Sequence, residues 1–483
     1  MSTTLQNYIG GIWLDGDGAP LESRNPSRPD EMVASGPQAS EDQMRDAVAA
    51  ARAASPAWAV TPLAERGAIL LRAASVIESR AEAWGAELAR EEGKTLTEGK
   101  GEVLRAAQVF RYQAAEAERD AGAVFHSPRA GEQILVTRKP LGVVAVVTPF
   151  NFPIAIPAWK IAPALIHGNT VVWKPASTVP LLAMRLAQAL DEAGLPAGVL
   201  NLVLGSGSLG DVLVDHPDVD GLSFTGSTGV GRTLAGRSAA RGVPVQAEMG
   251  GKNAAIVLAD ADLDLALEQV LLGAFRSSGQ KCTATSRLIV EDAIADDFLA
   301  RLTARVAALR VGDPLEAGID LGPVITAQAR NAILKSLDDA VTGSARLLVG
   351  GPEAAVPAEG HFVAPTVLEV SGDSVLWREE LFGPVLAVRR ASDPAEAFRL
   401  ADDSEFGLSA ALFTQDLTLA LEGLETLDVG VLHVNSESAG ADPHVPFGGA
   451  KKSGYGPKEQ GQAAREFFTH TTTVYLRGGR ARP

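Results

Sequence analysis

Residues 143–174 read VVAVVTPFNFPIAIPAWKIAPALIHGNTVVWK, and the fold follows from this stretch. It opens and closes on short β-rich runs, VVAVV (143–147) and TVVWK (170–174), with a helix-like apolar segment between them. Strands that lie in the middle of a parallel sheet are covered on both faces, so they read as unbroken apolar runs. The same stretch is the most hydrophobic in the chain, yet it is no membrane span. Pro149, Pro153, Pro157 and Pro163 interrupt it and Lys160 charges it, whereas a span needs about 20 mostly apolar residues in one helix.

Outward from here the alternation continues. Towards the C-terminus lie VLNLVL (199–204), GLSF (221–224), VPVQAEM (243–249) and AAIVL (254–258), separated by helical stretches such as 181–193. This is the doubly wound, dinucleotide-binding pattern. A second α/β segment starts near Asp260, with a helix at 263–276, a strand at 286–290 and a helix at about 294–309. It runs on to a glycine-rich stretch, PFGGAKKSGYG (446–456), and a strand-like tail, THTTTVYLR (469–477). Towards the N-terminus, residues 41–58, 63–91 and 97–118 carry Ala, Leu and Ile at helical spacing.

With 483 residues, about three domains are expected. A net charge of −16 disfavours nucleic acid and anionic membranes as partners, so an anionic ligand needs a local basic pocket. Cys282 is the single cysteine, so no intrachain disulfide forms. Residues 1–11 show no basic and apolar leader, and a cytoplasmic location is expected. No metal-ligand cluster is apparent.

Several motifs carry candidate chemistry, each with a plainer alternative. GSGSLG (205–210) fits GxGxxG after a strand, but no acid follows at the usual distance, and a tight strand-to-helix turn is the better explanation. FTGSTGVG (224–231) is the better phosphate loop: Gly226, Ser227 and Thr228 open a helix whose backbone N–H groups can meet a pyrophosphate. The alternative is a Ser/Thr cap. Lys174 ends the strand of TVVWKPAS where a ribose-binding group commonly sits, with Ser177 close behind and no acid. A solvated lysine is the alternative. Cys282 in GQKCTA reads either as a buried small hydrophobe or as a nucleophile. Glu248 stands at a strand end before Gly250 and Gly251, and Asn151 lies in TPFNFP just past the first strand. Thiol, carboxylate and amide together make an acyl-transfer set of nucleophile, general base and oxyanion donor.

The combination resembles the NAD(P)-dependent aldehyde dehydrogenases over nearly the whole chain. TPFNFP, EMGGKN and GQKC resemble that family's asparagine, glutamate and cysteine motifs, and Glu248 and Cys282 stand 34 residues apart, as is typical of it. EELFGP (379–384) and PFGGAKKSG (446–454) resemble two more. The resemblance implies an α/β fold of three parts: a doubly wound cofactor domain (1–118 and 142–250), an α/β catalytic domain (251–464), and a β oligomerisation arm (119–141 and 465–483) that pairs subunits into homodimers or homotetramers. It implies NADP or NAD as cofactor and a small aldehyde as substrate. Cys282 would attack the aldehyde, Asn151 would hold the oxyanion, and Glu248 would activate the water that hydrolyses the thioester. Lys174 and Ser177 would face the adenine ribose, Gly226 and Ser227 the pyrophosphate, Glu380 the nicotinamide ribose, and Phe382 the nicotinamide ring. Relatives that pass the acyl group to coenzyme A typically lack the glutamate, so Glu248 argues for hydrolysis; a non-catalytic role for the fold is disfavoured by the intact triplet.

Two further residues bear on substrate. Arg276, six residues before Cys282, stands where relatives similar to succinate semialdehyde dehydrogenase grip a far carboxylate, although an ion pair with a nearby acid is the plainer reading. Trp159 stands where those relatives carry a second arginine, and it could stack on an aromatic aldehyde instead. The wording of QAEMGGKNAAIVL, GQKCTATSRLIV and VPFGGAKKSGYGPKEQG is more similar to 2-oxoglutarate semialdehyde (2,5-dioxopentanoate) dehydrogenases. That substrate is expected, ahead of succinate semialdehyde and aromatic aldehydes.

Overall fold

The structure, a computed structural model, describes residues 2–119 and 121–479. The all-apolar runs form the middle of an eight-stranded sheet. Its spatial order is Gly454–Tyr455, Val245–Glu248, Gly221–Thr225, Val143–Val147, Thr170–Lys174, Leu200–Leu202, Asn7–Ile9 and Ile12–Leu14. The five strands from Val245–Glu248 to Leu200–Leu202 are parallel. The chain runs outward from Val143–Val147 on one side, then returns to build Gly221–Thr225 on the other. The strand order therefore reverses beside Val143–Val147, and in such sheets ligands bind off the carboxyl ends at the reversal. Helix Ala155–Ile166 is buried along its whole length, which accounts for its lack of a polar face.

A seven-stranded sheet, parallel except at its first strand, runs in the order Arg346–Val349, Thr366–Glu369, Val385–Ala391, Thr285–Glu291, Asn253–Val257, Ser409–Phe413 and Val431–Val434. Apolar clusters flank both of its faces. A separate antiparallel sheet joins Thr469–Arg477, Glu132–Pro140 and Gly122–His126. It carries exposed Val124, Phe125, Tyr475 and Leu476. The expected arm residues Asp120 and 480–483 lie outside the described residues.

The structure departs from the sequence reading in two places and agrees with its plainer alternative in a third. Residues 3–37, which precede the periodic helices, hold five strands. The helix expected over 63–91 is two, Leu63–Ser79 and Ala81–Glu92, because Arg80 turns out of helical geometry (φ −107°, ψ 9°) with its guanidinium over the Trp84 ring. The GSGSLG loop is the tight turn. The Ser206 N–H is taken by the Gln38 side chain, and Gly205 packs on Leu209 and Gln38. Among the described residues no helix is long and apolar enough to cross a membrane, and no group of His, Cys, Asp and Glu side chains is set to hold a metal ion.

Candidate active site

Four expected site positions follow the carboxyl ends of neighbouring parallel strands. Asn151 comes after Val143–Val147, Lys174 ends Thr170–Lys174, Gly226 and Ser227 follow Gly221–Thr225, and Glu248 ends Val245–Glu248. Cys282 arrives from the other sheet, in the loop between helix Leu263–Phe275 and strand Thr285–Glu291. Ser277 and Ser278 in that loop both adopt left-handed backbone geometry (φ 54° and 51°), which non-glycine residues seldom do without support. Glu98 supplies it by accepting from the Ser277 N–H at 2.7 Å, and Ser278 Oγ donates to Gly322 O.

Asn151 is buried, and its Nδ2 donates to Gln280 O at 2.9 Å. One of the two amide hydrogens is thereby spent on aiming the group beside the Cys282 loop, and the second is left for an oxyanion. The Asn151 loop is itself braced. Lys94 Nζ donates to Asn151 O and to Glu102, and Glu102 accepts from the N–H groups of Ile154 and Ala155.

Cys282 is partly exposed and lines a cavity of about 340 Å³, which removes the buried-hydrophobe alternative. Burial, then the nearby charges of Glu380, Glu248 and Glu459, push its thiol up to about 12. The nucleophile thus requires a base, or a cation beside it, to react at neutral pH. Glu248 is fully buried and accepts from the Gly449 N–H at 2.8 Å. Burial first, and Glu459 next, hold its carboxyl well above the usual carboxylate range, which suits a general base working near neutrality. Gly448 is left-handed (φ 155°), and a Cβ there would strike Glu248 Oε1. Glu459 is paired with buried Lys160, whose ammonium also donates to Ser223 Oγ. The sequence reading met Lys160 only as a charge inside an apolar run and passed over Glu459. A buried lysine in an otherwise apolar helix was the available signal.

The expected cofactor residues pass a test of fit. Lys174 is only 6 % exposed, so it is no solvated lysine. Its Nζ donates to Pro175 O alone among the hydrogen bonds found, and burial lowers it to about 8. Ser177 is partly buried nearby. Ser227 occupies the N-cap position of helix Thr228–Ala240 without capping it, so the alternative of a mere cap fails. Thr225 Oγ1 and Thr228 Oγ1 are buried with no hydrogen-bond partner, and a Cβ on Gly226 would strike the Phe224 ring. The Gly226 N–H is taken by Glu248 O at 3.1 Å, but the orphaned hydroxyls and the sparsely bonded Lys174 cation suit the phosphates and ribose of a dinucleotide. Glu380 accepts from the Gly251 N–H at 3.0 Å, and burial raises its carboxyl to about 7. The approach requires glycine, because a Cβ on Gly250 would overlap Glu380. Phe382 is left-handed (φ 57°) and its ring meets Phe150 edge-on at 5.7 Å.

The same cavity is lined by Arg276 and Trp159. Arg276 Nη1 lies 3.2 Å from Glu437 Oε1, so the ion pair named as the plainer reading exists, on a side chain that still faces the cavity and is half exposed. Trp159 packs beside Phe447, with ring centroids 5.7 Å apart. Lys281, which the sequence reading quoted only inside GQKC, also lines the cavity.

A doubly wound sheet and a cysteine-bearing second sheet that share one cleft define a dinucleotide-dependent oxidoreductase acting through a thiol. Residues 13–474 match the aldehyde dehydrogenase family, and the chain belongs to it. Its relatives include the alpha-ketoglutaric semialdehyde dehydrogenase of Bacillus subtilis, 41% identical over 98% of each chain. Another is the 2,5-dioxopentanoate dehydrogenase of Saccharolobus solfataricus, 39% identical over 98% of this chain and 99% of that one. Among solved structures, betaine aldehyde dehydrogenase from Staphylococcus aureus in complex with NAD+ superposes with a TM-score of 0.95. The two are 32% identical over 99% of this chain and 96% of that one. The protein is an NAD(P)-dependent aldehyde dehydrogenase with that family's α/β fold.

Proposed function

We propose that the protein oxidises a semialdehyde, 2-oxoglutarate semialdehyde in the first place, to the free carboxylic acid. The observation that carries this reading is the cavity in which Cys282 shares a wall with the cations Arg276 and Lys281. A thiol and positive charge in one cavity suit an aldehyde that also bears a carboxylate. The names of the two semialdehyde dehydrogenase relatives support the same choice. Succinate semialdehyde is the next candidate. Trp159 beside Phe447 keeps an aromatic aldehyde as a third.

The chain's own residues divide the work. Glu248 takes the Cys282 proton, and the thiolate adds to the aldehyde carbon to give a thiohemiacetal. The free hydrogen of Asn151 Nδ2 and the Cys282 backbone N–H hold the oxyanion. Bound NAD(P)+ supplies the two-electron oxidant. The thioester left on Cys282 is hydrolysed by a water that Glu248 deprotonates, which releases the acid and the free thiol. Lys174 and Ser177 would hold the adenine ribose, Gly226 and Ser227 the pyrophosphate and Glu380 the nicotinamide ribose, with Phe382 beside the nicotinamide ring. Ser177 stands where NAD-selective relatives typically carry a glutamate. With no acid there to repel a 2′-phosphate, NADP is accepted alongside NAD.

The division into 1–118 with 142–250, 251–464, and 119–141 with 465–483 belongs to this reading. So does a homodimer or homotetramer in which exposed Val124, Phe125, Tyr475 and Leu476 of the arm are covered by another subunit. The reactive thiol suits the reducing cytoplasm. The test is a panel of semialdehydes and neutral aldehydes assayed with both cofactors. A preference for neutral aldehydes over both semialdehydes would sink the substrate assignment.

A further inference from the structure

The cations that line the cavity are unequally supplied with hydrogen-bond partners. Lys94 is taken by Glu102, Arg105 reaches Asp442, and Glu98 is occupied by Ser277 and the start of its own helix. That leaves Arg276 and Lys281 against one carboxylate, Glu437. Lys281 is the more telling of the two, since its side chain is only 7% exposed and it directly precedes Cys282. An ammonium carries three N–H donors. Here the contacts are a marginal one to Leu272 O at 3.5 Å and an ion contact to Glu437 Oε2 at 3.7 Å, too long for a hydrogen bond. Glu437 Oε2 is in turn buried with no hydrogen-bond partner. Buried polar groups are almost always satisfied, so a loose pair of this kind inside a cavity is a place prepared for something else.

We infer that Lys281 is a specificity-determining residue that closes, together with Arg276, a two-cation clamp on the remote carboxylate of the aldehyde, with Glu437 as the counter-charge that holds the clamp when substrate is absent. The inference rests on the semialdehyde reading above and adds to it the residue that makes the acid end selective. A carboxylate has two oxygens and can serve both cations at once. Its arrival gives Lys281 the hydrogen-bond partners it lacks. Burial lowers the proton affinity of Lys281, and the charge of Glu437 opposes that shift.

The test is the ratio of kcat/KM for 2-oxoglutarate semialdehyde to that for pentanal, in the wild type, Lys281→Met and Lys281→Arg. In Lys281→Met the ratio should fall about ten- to a hundredfold, as for the loss of one charge-assisted hydrogen bond, with the change in KM for the acid substrate. Lys281→Arg keeps a cation and should keep most of the ratio. Glutarate should protect the Cys282 thiol of the wild type from alkylation and should fail to protect Lys281→Met. If Lys281→Met melts early, Lys281→Gln carries the same comparison. An unchanged ratio in a folded variant, or an equal loss on pentanal, overturns the clamp. The wild-type ratio tests the reading beneath it. A wild type that prefers pentanal sinks the acidic substrate, whereas a strong preference that survives Lys281→Met sinks the clamp alone.

Discussion

The reaction centre and the substrate end of the cavity are built in opposite ways. At the reaction centre, Asn151 and Glu248 are held by backbone groups, Gln280 O and the Gly449 N–H, and glycines clear the space around them. At the substrate end the contacts run between charged side chains: Arg276 with Glu437, Lys281 with Glu437, Arg105 with Asp442. Backbone anchors fix a group to within a fraction of an ångström and tolerate little change, as acyl transfer demands. Side-chain ion pairs can be exchanged for a ligand's charge. The first region should thus fail outright when altered, and the second should change its selectivity.

The largest effect belongs to Cys282→Ser. A hydroxyl of far higher pKa replaces the thiol, and dehydrogenase activity should fall at least about a thousandfold, as when a covalent nucleophile is removed. NAD(P)H formation with any aldehyde in the panel measures it. Residual activity near wild type would mean that the backbone-held centre is not where the chemistry occurs.

Glu248→Gln comes next. Loss of a general base should slow steady turnover about a hundredfold or more, while a first burst of NAD(P)H survives provided that deacylation limits. Rapid-mixing absorbance separates the two phases. The sign of the pH dependence follows from the raised carboxyl. A base must be ionised to act, so steady turnover in the wild type should climb with pH above the ordinary carboxylate range, as Glu248 loses its proton. That limb should vanish in Glu248→Gln. Full steady activity in the variant would remove Glu248 from the mechanism.

The same contrast explains how much could be read from the sequence. Asn151, Glu248 and Cys282 were legible because each sits at a strand end or in a loop whose glycines and prolines are dictated by local backbone geometry. The parallel sheet was legible because VVAVV and TVVWK are apolar throughout. Glu437 left no such trace, since it meets Arg276 across 161 residues of chain and only the fold brings them together. The N-terminal strands were missed for a related reason. Arg28–Pro37 mixes charge, proline and glycine, and it is held as a strand by its pairing with Pro20–Asn25 rather than by its own pattern. The break at Arg80 is set by tertiary packing, which a periodic helical pattern does not record.

At the substrate end, Arg276→Ala should raise KM for the carboxylated aldehyde about tenfold, within the range for one charge-assisted hydrogen bond. It should barely affect an uncharged aldehyde of similar length. The half-exposed position of Arg276 predicts a smaller loss than at buried Lys281. Equal losses on both aldehydes would make Arg276 a structural partner of Glu437 and nothing more.

The smallest effect concerns cofactor choice, where a side-chain charge again does the selecting. Lys174 is buried, and its ammonium releases its proton near pH 8, far below the usual lysine range. Below that pH the cation can meet a 2′-phosphate; above it the free enzyme presents a neutral amine. The dependence of kcat/KM on pH reports the free enzyme. The ratio of kcat/KM for NADP to that for NAD should therefore fall as pH rises through about 8, since NAD carries no 2′-phosphate to lose a partner. Lys174→Met should flatten this dependence and lower the ratio at neutral pH, with a larger loss for NADP than for NAD. Ser177→Glu should push in the same direction by repelling the phosphate. If the ratio is independent of pH in the wild type, Lys174 does not meet the 2′-phosphate. If NAD is preferred by more than about a thousandfold at neutral pH, some 4 kcal/mol, the acid-free ribose site does not confer NADP use at all.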